Sequence, residues 1–174
     1  LRAGLLVAGT PASFLSHHDA ARLWGGVVPH SPDVHVSVPR GAIRRRRAGV
    51  RVHTSARQPV RFRGFPVTSP QDTFLDLAAV LDLVDLVALG DSLVRRGRVT
   101  PEQLVEAAEE ARGRYSRVAE RAARLVRRGV DSPMETRVRL LIVLAGLPEP
   151  QVDIRFFADG DALAVLAAGA GLAH

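Results

Sequence analysis

The chain has 174 residues, 47% hydrophobic and 24% charged, so it can bury a core and is not a disordered polyampholyte. Its formal net charge is +6, and all 24 of its basic residues are arginine. The absence of cysteine excludes disulfides, thiolate metal sites and a cysteine nucleophile, and it fits a cytoplasmic location. No apolar run approaches the roughly 20 residues of a membrane helix, so we expect no membrane partner.

The first third of the chain predicts a helix followed by a small sheet. The helix begins at Ser16 and ends at Gly25. Valines alternate with polar residues over 33–38, which predicts a half-buried strand, and the alternation resumes over 50–53. We therefore expect an antiparallel hairpin with a long basic tip. Further short strands are expected at 60–62 and 65–67, with Gly64 as the turn between them.

Four helix starts follow, each marked by a capping side chain and three of them by a proline at the next position. The capping residues are Ser69, Asp82, Thr100 and Ser132. The first two predicted helices end at about Leu81 and at Arg95. The third runs towards Arg112, breaks at Gly113 and continues to Arg128, and the fourth ends at Gly146. A strand is expected over 151–157.

Two arginine clusters are candidate nucleic-acid-binding sites. A run of like charges repels itself unless a polyanion lies nearby, and arginine fits phosphate with a planar fork of donors. A solvated surface enriched in arginine by GC-rich coding is the alternative, and we favour it for the helical cluster, which lies near Glu120. The hairpin cluster consists of Arg40, Arg44, Arg45, Arg46 and Arg47, and the helical cluster of Arg124, Arg127 and Arg128.

His35 and His53 are predicted to be neighbours across the two strands, on their polar face. Two histidines without a third ligand make a poor metal site. We therefore interpret them as ordinary hydrogen-bonded or surface histidines.

Glu135 lies in the first turn of a helix that precedes a strand. Several metal-dependent nucleases hold a Mg²⁺ ligand at such a position, where the ion activates water and stabilises the leaving oxygen. Ser132 and Glu135 also have the spacing of a helix capping box, and spacing alone favours that structural role.

Six segments together resemble actinobacterial proteins in which an AbiEi-like antitoxin region precedes a Vsr-like endonuclease domain of the PD-(D/E)XK class. The segments are LSHHDAARLWGG (15–26), DVHVSVPRG (33–41), GVRVHTS (49–55), GFPVTSPQDTFLDLA (64–78), LGDSLVRRGRVTPEQL (89–104) and SPMETRVRLLIVLAGLPEPQV (132–152). The resemblance implies DNA as the nucleic acid and a toxin as a candidate protein partner. It also implies an N-terminal winged helix, most of which this sequence lacks.

The resulting expectation is an α+β chain truncated at both ends. Residues 1–111 form the antitoxin middle region, with a small antiparallel sheet and helices. Residues 112–131 form a basic helical linker, and 132–174 an incomplete Vsr-like domain, the helix–strand start of an α/β restriction-endonuclease-like core.

The resemblance makes Glu135 the first catalytic carboxylate and a metal ligand. The acidic residue expected on the family's second strand has no match here, because Asp153, Asp159 and Asp161 do not align with it. The Ala- and Gly-rich end motivates the hypothesis of a frameshifted or truncated tail. We expect an inactive nuclease module. The alternatives are an active Mg²⁺-dependent endonuclease that uses Glu135 with one of these aspartates, and a protein-binding regulator.

Overall fold

The computed structural model describes residues 12–42 and 47–150, together with the backbone of two strands at 155–158 and 161–164. Its α+β architecture confirms the predicted fold class. The elements follow in the order β1 (Phe14–Leu15), α1 (His17–Trp24), β2 (Val34–Pro39), β3 (Val50–Ser55), β4 (Val60–Phe62), β5 (Phe65–Val67), α2 (Pro70–Leu77), α3 (Leu83–Arg95), α4 (Pro101–Glu110), α5 (Ser116–Leu125), α6 (Pro133–Leu144), β6 (Arg155–Ala158) and β7 (Asp161–Ala164).

The five-stranded sheet has the order β3-β2-β1-β5-β4 and is mixed. β1 is antiparallel to β2 and parallel to β5, and β4 and β5 form the expected hairpin around Gly64. β2 and β3 are parallel, so the predicted antiparallel hairpin is wrong. Alternation identifies the buried face of a strand but carries no information on its direction. Ten residues, 40 to 49, connect the two strands and can span about 33 Å when extended. This is enough for the chain to run back along the length of β2, about 20 Å, and to begin β3 in the same direction.

Strand β2 is covered on both faces, although its alternation predicted a half-buried strand. Val36 and Val38 lie in the hydrophobic core. His35 and Ser37 on the other face are also buried, with His35 only 3% exposed. The start of α1 covers them, because Asp19 Oδ2 accepts a 2.6 Å hydrogen bond from the backbone of His35. The polar face of β2 is therefore a buried network.

The four predicted helix starts are confirmed, since each capping side chain accepts a hydrogen bond from the backbone three residues later. The prediction that the helix after Gly113 continues to Arg128 is wrong. Helix α5 ends at Leu125, because Val126 is extended and the next backbone N–H, of Arg127, donates to Asp91 at 2.8 Å. Arg127 and Arg128 therefore lie beyond the helix.

A buried ion pair joins α3 to α6. Arg139 and Asp91 are 1% and 2% exposed, and their charged groups are 3.1 Å apart. The Asp91 carboxylate also accepts from Thr136 and from the backbone of Arg127, and Arg139 also contacts Glu149. These bonds satisfy most of the polar atoms that the pair buries.

Three predictions lie outside the described residues, wholly or in part. Arg44, Arg45 and Arg46 are not described. The strand expected over 151–157 is described only from Arg155, where β6 pairs antiparallel with β7. The proposed tail abnormality and the division of the chain at 111 and 131 stay predictions. Among the described residues, no helix is long and apolar enough to cross a membrane.

Candidate functional site

Three histidines from separate elements meet at one end of the sheet. His17 begins α1, His35 lies on β2 and His53 on β3. The backbone N–H of Ser16 donates to the carbonyl of His35, and the parallel register sets His53 opposite Ser37. One nitrogen from each imidazole lies within 4.8 Å of the other two. The cross-strand contact of His35 and His53 is confirmed, and His17 adds a third imidazole that the sequence analysis missed.

Hydroxyl groups hold two of these rings. His17 Nδ1 lies 3.0 Å from Ser16 Oγ, and His35 Nε2 lies 2.9 Å from Ser31 Oγ. Ser16 is the N-cap residue of α1, yet its side chain makes no capping bond and instead accepts from Ser37 Oγ at 2.8 Å. His17 has a positive φ of 50°, which is strained for a residue with a side chain. The local structure therefore favours the histidine cluster over a regular helix start.

The cluster is uncharged at neutral pH. Burial, followed by the proximity of His53 and His35, lowers the pKa of His17 to about 3. Burial also lowers the pKa of His35 and of His53 to about 4. At pH 7 each imidazole therefore keeps a nitrogen lone pair that can accept a proton or bind a metal ion.

A cleft of about 550 Å³ opens beside the cluster, between β3, α2 and the segment that joins α4 to α5. His17 and His53 lie on its wall, with Arg57, Arg112 and Tyr115 further along. Arg57 is held by ion pairs to Asp72 and Asp76. The cleft is thus lined by two imidazoles, by Arg112 and by Arg57, whose charge the two aspartates offset.

The basic connection between β2 and β3 has exposed arginines at both ends. Arg40 and Arg47 are exposed, and neither has a carboxylate within ion-pair distance in the described part of the chain. Arg47 and Val50 form an isolated bridge, and the connection returns to β3 through Gly49, whose φ is 73°. Among the described residues, no carboxylate neutralises the guanidinium groups of Arg40 and Arg47, which leaves them available to an external anion there.

The second arginine cluster is neutralised by acidic side chains. Arg124 pairs with Glu109 at 2.6 Å and with Glu120 at 3.0 Å. Arg127 pairs with Glu149 at 2.9 Å and Arg128 with Glu102 at 2.6 Å. These carboxylates offset the positive charge of the cluster, although each exposed ion pair is individually weak.

Glu135 occupies the capping position that its spacing predicts. Its Oε1 accepts from Ser132 Oγ at 2.9 Å, and its Oε2 accepts from the backbone of Asp131 at 2.9 Å. Within the described residues, the one group of three potential metal ligands is the histidine cluster, so no such group surrounds Glu135 there. The described surroundings of Glu135 do not fit a Mg²⁺ site, and its catalytic role stays a prediction.

These features define a small α+β domain with exposed arginines at both ends of the connection between β2 and β3 and a neutral histidine cluster beside a cleft. The sequence model of the AbiEi antitoxin C-terminal domain matches residues 3–128, and the chain belongs to this family. The match supports the AbiEi part of the resemblance and ends before the segment that resembles a Vsr-like endonuclease.

A search of curated proteins found no match. Among solved structures, the chain is similar to the RV2827C protein from Mycobacterium tuberculosis, with 14% identity and a TM-score of 0.46. That alignment covers 91% of this chain and 64% of the other, so the chain spans less than two thirds of that protein.

Proposed function

We propose that this AbiEi-family chain is an antitoxin-like regulator that binds DNA through the connection between β2 and β3. The observation that carries the proposal is the exposure of Arg40 and Arg47 without carboxylate partners among the described residues. Between them the sequence places three more arginines, Arg44, Arg45 and Arg46. Five arginines in eight residues give a local positive charge that suits a phosphate backbone.

The ion pairs distinguish the two arginine clusters. A free guanidinium gains a phosphate partner and releases counterions, whereas a paired one must first lose its carboxylate. Arg124 and Arg128 are held by acidic groups at 2.6 Å, so they add little to DNA affinity. We therefore assign the interface to the connection and interpret the second cluster as a surface ion-pair network.

A pair of matched variants tests this assignment. We expect glutamine at all five connection arginines to weaken binding to a short DNA duplex by about tenfold or more at moderate salt. Glutamine at Arg124, Arg127 and Arg128 removes three charges but should change the affinity by less than about threefold. Fluorescence anisotropy gives both affinities, and circular dichroism verifies that each variant is folded.

Losses in log affinity in proportion to the charges removed, five against three, would show that net charge, and not the connection, determines binding. An unchanged affinity of the connection variant would exclude this surface. If the wild-type chain bound no DNA at all, the predicted protein partner, such as a toxin, would become the leading interpretation.

We further propose that the segment from 132 onward does not cut DNA, although it resembles the opening of a Vsr-like domain. Both carboxylate oxygens of Glu135 serve the start of α6, which supports a structural role. We expect no Mg²⁺-dependent cleavage of plasmid DNA by the wild-type chain. The Glu135→Ala variant should lose about 1 kcal/mol of stability through the damaged cap. Cleavage by the wild type that disappears in the variant would instead establish a compact nuclease.

A further inference from the structure

We propose that His17, His35 and His53 form a binding site for a divalent transition-metal ion, with Zn²⁺ as the first candidate. Neither the family match nor the DNA-binding proposal assigns a metal to this chain, and the site is separate from the arginine connection. Three imidazoles with one open position are a common donor set for zinc. Among the described residues, this is the one group that offers three potential ligands.

The spacing of the nitrogens suits a tetrahedral ion. Zn–N bonds of about 2.0–2.1 Å place neighbouring ligand nitrogens roughly 3.3 Å apart. His35 Nδ1 and His53 Nε2 are already 3.1 Å apart, and all three ligand atoms lie within 4.8 Å of one another. The ring of His17 stacks on that of His53, with centroids 3.7 Å apart, so binding requires the His17 side chain to rotate until one of its nitrogens points at the ion.

The partners of the histidines select the nitrogens that bind. Ser31 Oγ donates towards the carbonyl of Asp33, so it can accept a hydrogen bond from His35 Nε2–H. The lone pair of His35 then lies on Nδ1 and accepts from His53 Nε2–H, so metal binding requires the proton of His53 to move to its Nδ1. Ser16 Oγ can likewise accept from His17 Nδ1–H, which frees Nε2 of His17. Such outer partners fix the tautomer and orientation of metal-binding histidines.

The electrostatic environment favours neutral ligands. An ion must compete with protons for imidazole nitrogens, and the lowered pKa values extend the range of metal binding to more acidic pH, while the burial that lowers them also raises the cost of holding a cation. His18 adds a fourth ring, 4.7 Å from that of His35, and its Nδ1 is buried without a hydrogen-bond partner among the described residues. The site is thus rich in unprotonated nitrogen.

The fourth coordination position faces solvent. His17 and His53 lie on the wall of the 550 Å³ cleft, so water or an anionic group can reach an ion that they hold. Arg112 on the same wall would favour an anion there, whereas Asp72 and Asp76 offset the charge of Arg57. This arrangement is that of an open site, in contrast to the closed four-ligand sites that only stabilise a fold.

The test uses the tag-free chain, titrated with Zn²⁺ by calorimetry and with Co²⁺ by visible spectroscopy. We expect one ion per chain and the absorption of tetrahedral Co²⁺. His17→Gln and His53→Gln replace partly exposed ligands and should each weaken binding by about tenfold or more. His30→Gln removes an exposed histidine outside the cluster and should bind as the wild type does.

A second measurement needs no variant. Zn²⁺ that binds only the folded chain should raise its thermal midpoint as the ion concentration rises, and a chelator should reverse the shift. The proposal is overturned if the wild type takes up no ion, or if His17→Gln and His53→Gln bind as tightly as the wild type. It is supported if binding disappears in these two variants and persists in His30→Gln.

Discussion

Replacement of Asp91 with alanine is expected to destabilise the chain by about 3 to 5 kcal/mol, because it leaves a buried guanidinium without its counter-charge. Arg139 is 1% exposed and lies 3.1 Å from the Asp91 carboxylate. The same change removes the acceptor for the Thr136 hydroxyl and for the backbone of Arg127. Urea denaturation followed by circular dichroism measures the loss.

The chain contains a matched control on the same two helices. Asp85 on α3 pairs with Arg137 on α6, also at 3.1 Å, but these side chains are 23% and 51% exposed. Asp85→Ala should therefore cost less than about 1 kcal/mol. Similar losses in the two variants would mean that burial does not determine the strength of the Asp91 pair.

Acidification is expected to destabilise the metal-free chain between pH 6.5 and about pH 4. The folded chain keeps His17, His35 and His53 neutral, because their pKa values are lowered to about 3 or 4. The unfolded chain protonates them below pH 6.5, so it binds up to three more protons and becomes favoured as the pH falls. From pH 7 to pH 5 we expect a loss of roughly 2 kcal/mol, because the three histidines lower one another's pKa and solvent screens the half-buried rings.

Burial is the largest cause of these lowered pKa values, and the charged groups around the cluster modify it. Arg57 lowers the pKa of His17, and Arg51 lowers that of His53 and His35, whereas Asp33 raises that of His35 and Asp19 that of His18. Urea titrations at a series of pH values, with a chelator present, measure the dependence. His53→Gln should give a shallower curve than His30→Gln. A stability that is constant from pH 7 to pH 5 would contradict the account.

Local signals in the sequence predicted the elements well. Ser69, Asp82, Thr100 and Ser132 cap helices as their spacing indicates, because capping depends only on residues within one turn. The direction of β3 could not be predicted, since it depends on the path of the connection and not on the pattern of the strand. The end of α5 at Leu125 was missed because it depends on the distant Asp91.

In the candidate sites, too, contacts within a local pattern could be predicted and contacts between distant segments could not. His35 and His53 share a polar strand face, which alternation predicts. His17 joins them only because β1 pairs with β2 and carries the start of α1 across the sheet, a contact that no local pattern encodes. Within the described part of the chain, ion pairing also distinguishes Arg47, which has none, from Arg124, although both belong to arginine clusters in the sequence. Contacts between distant segments, more than residue type, determine which arginines and histidines are available for binding.

The salt dependence of DNA binding by the wild-type chain is the decisive measurement for the proposed DNA interface between β2 and β3. If the connection arginines contact phosphates, a plot of log affinity against log salt concentration should have a slope of about −3 to −5. The connection variant should give a slope near zero under the same conditions. A wild-type affinity that does not change with salt, or no binding at low salt, would contradict the proposal that this AbiEi-family chain acts on DNA.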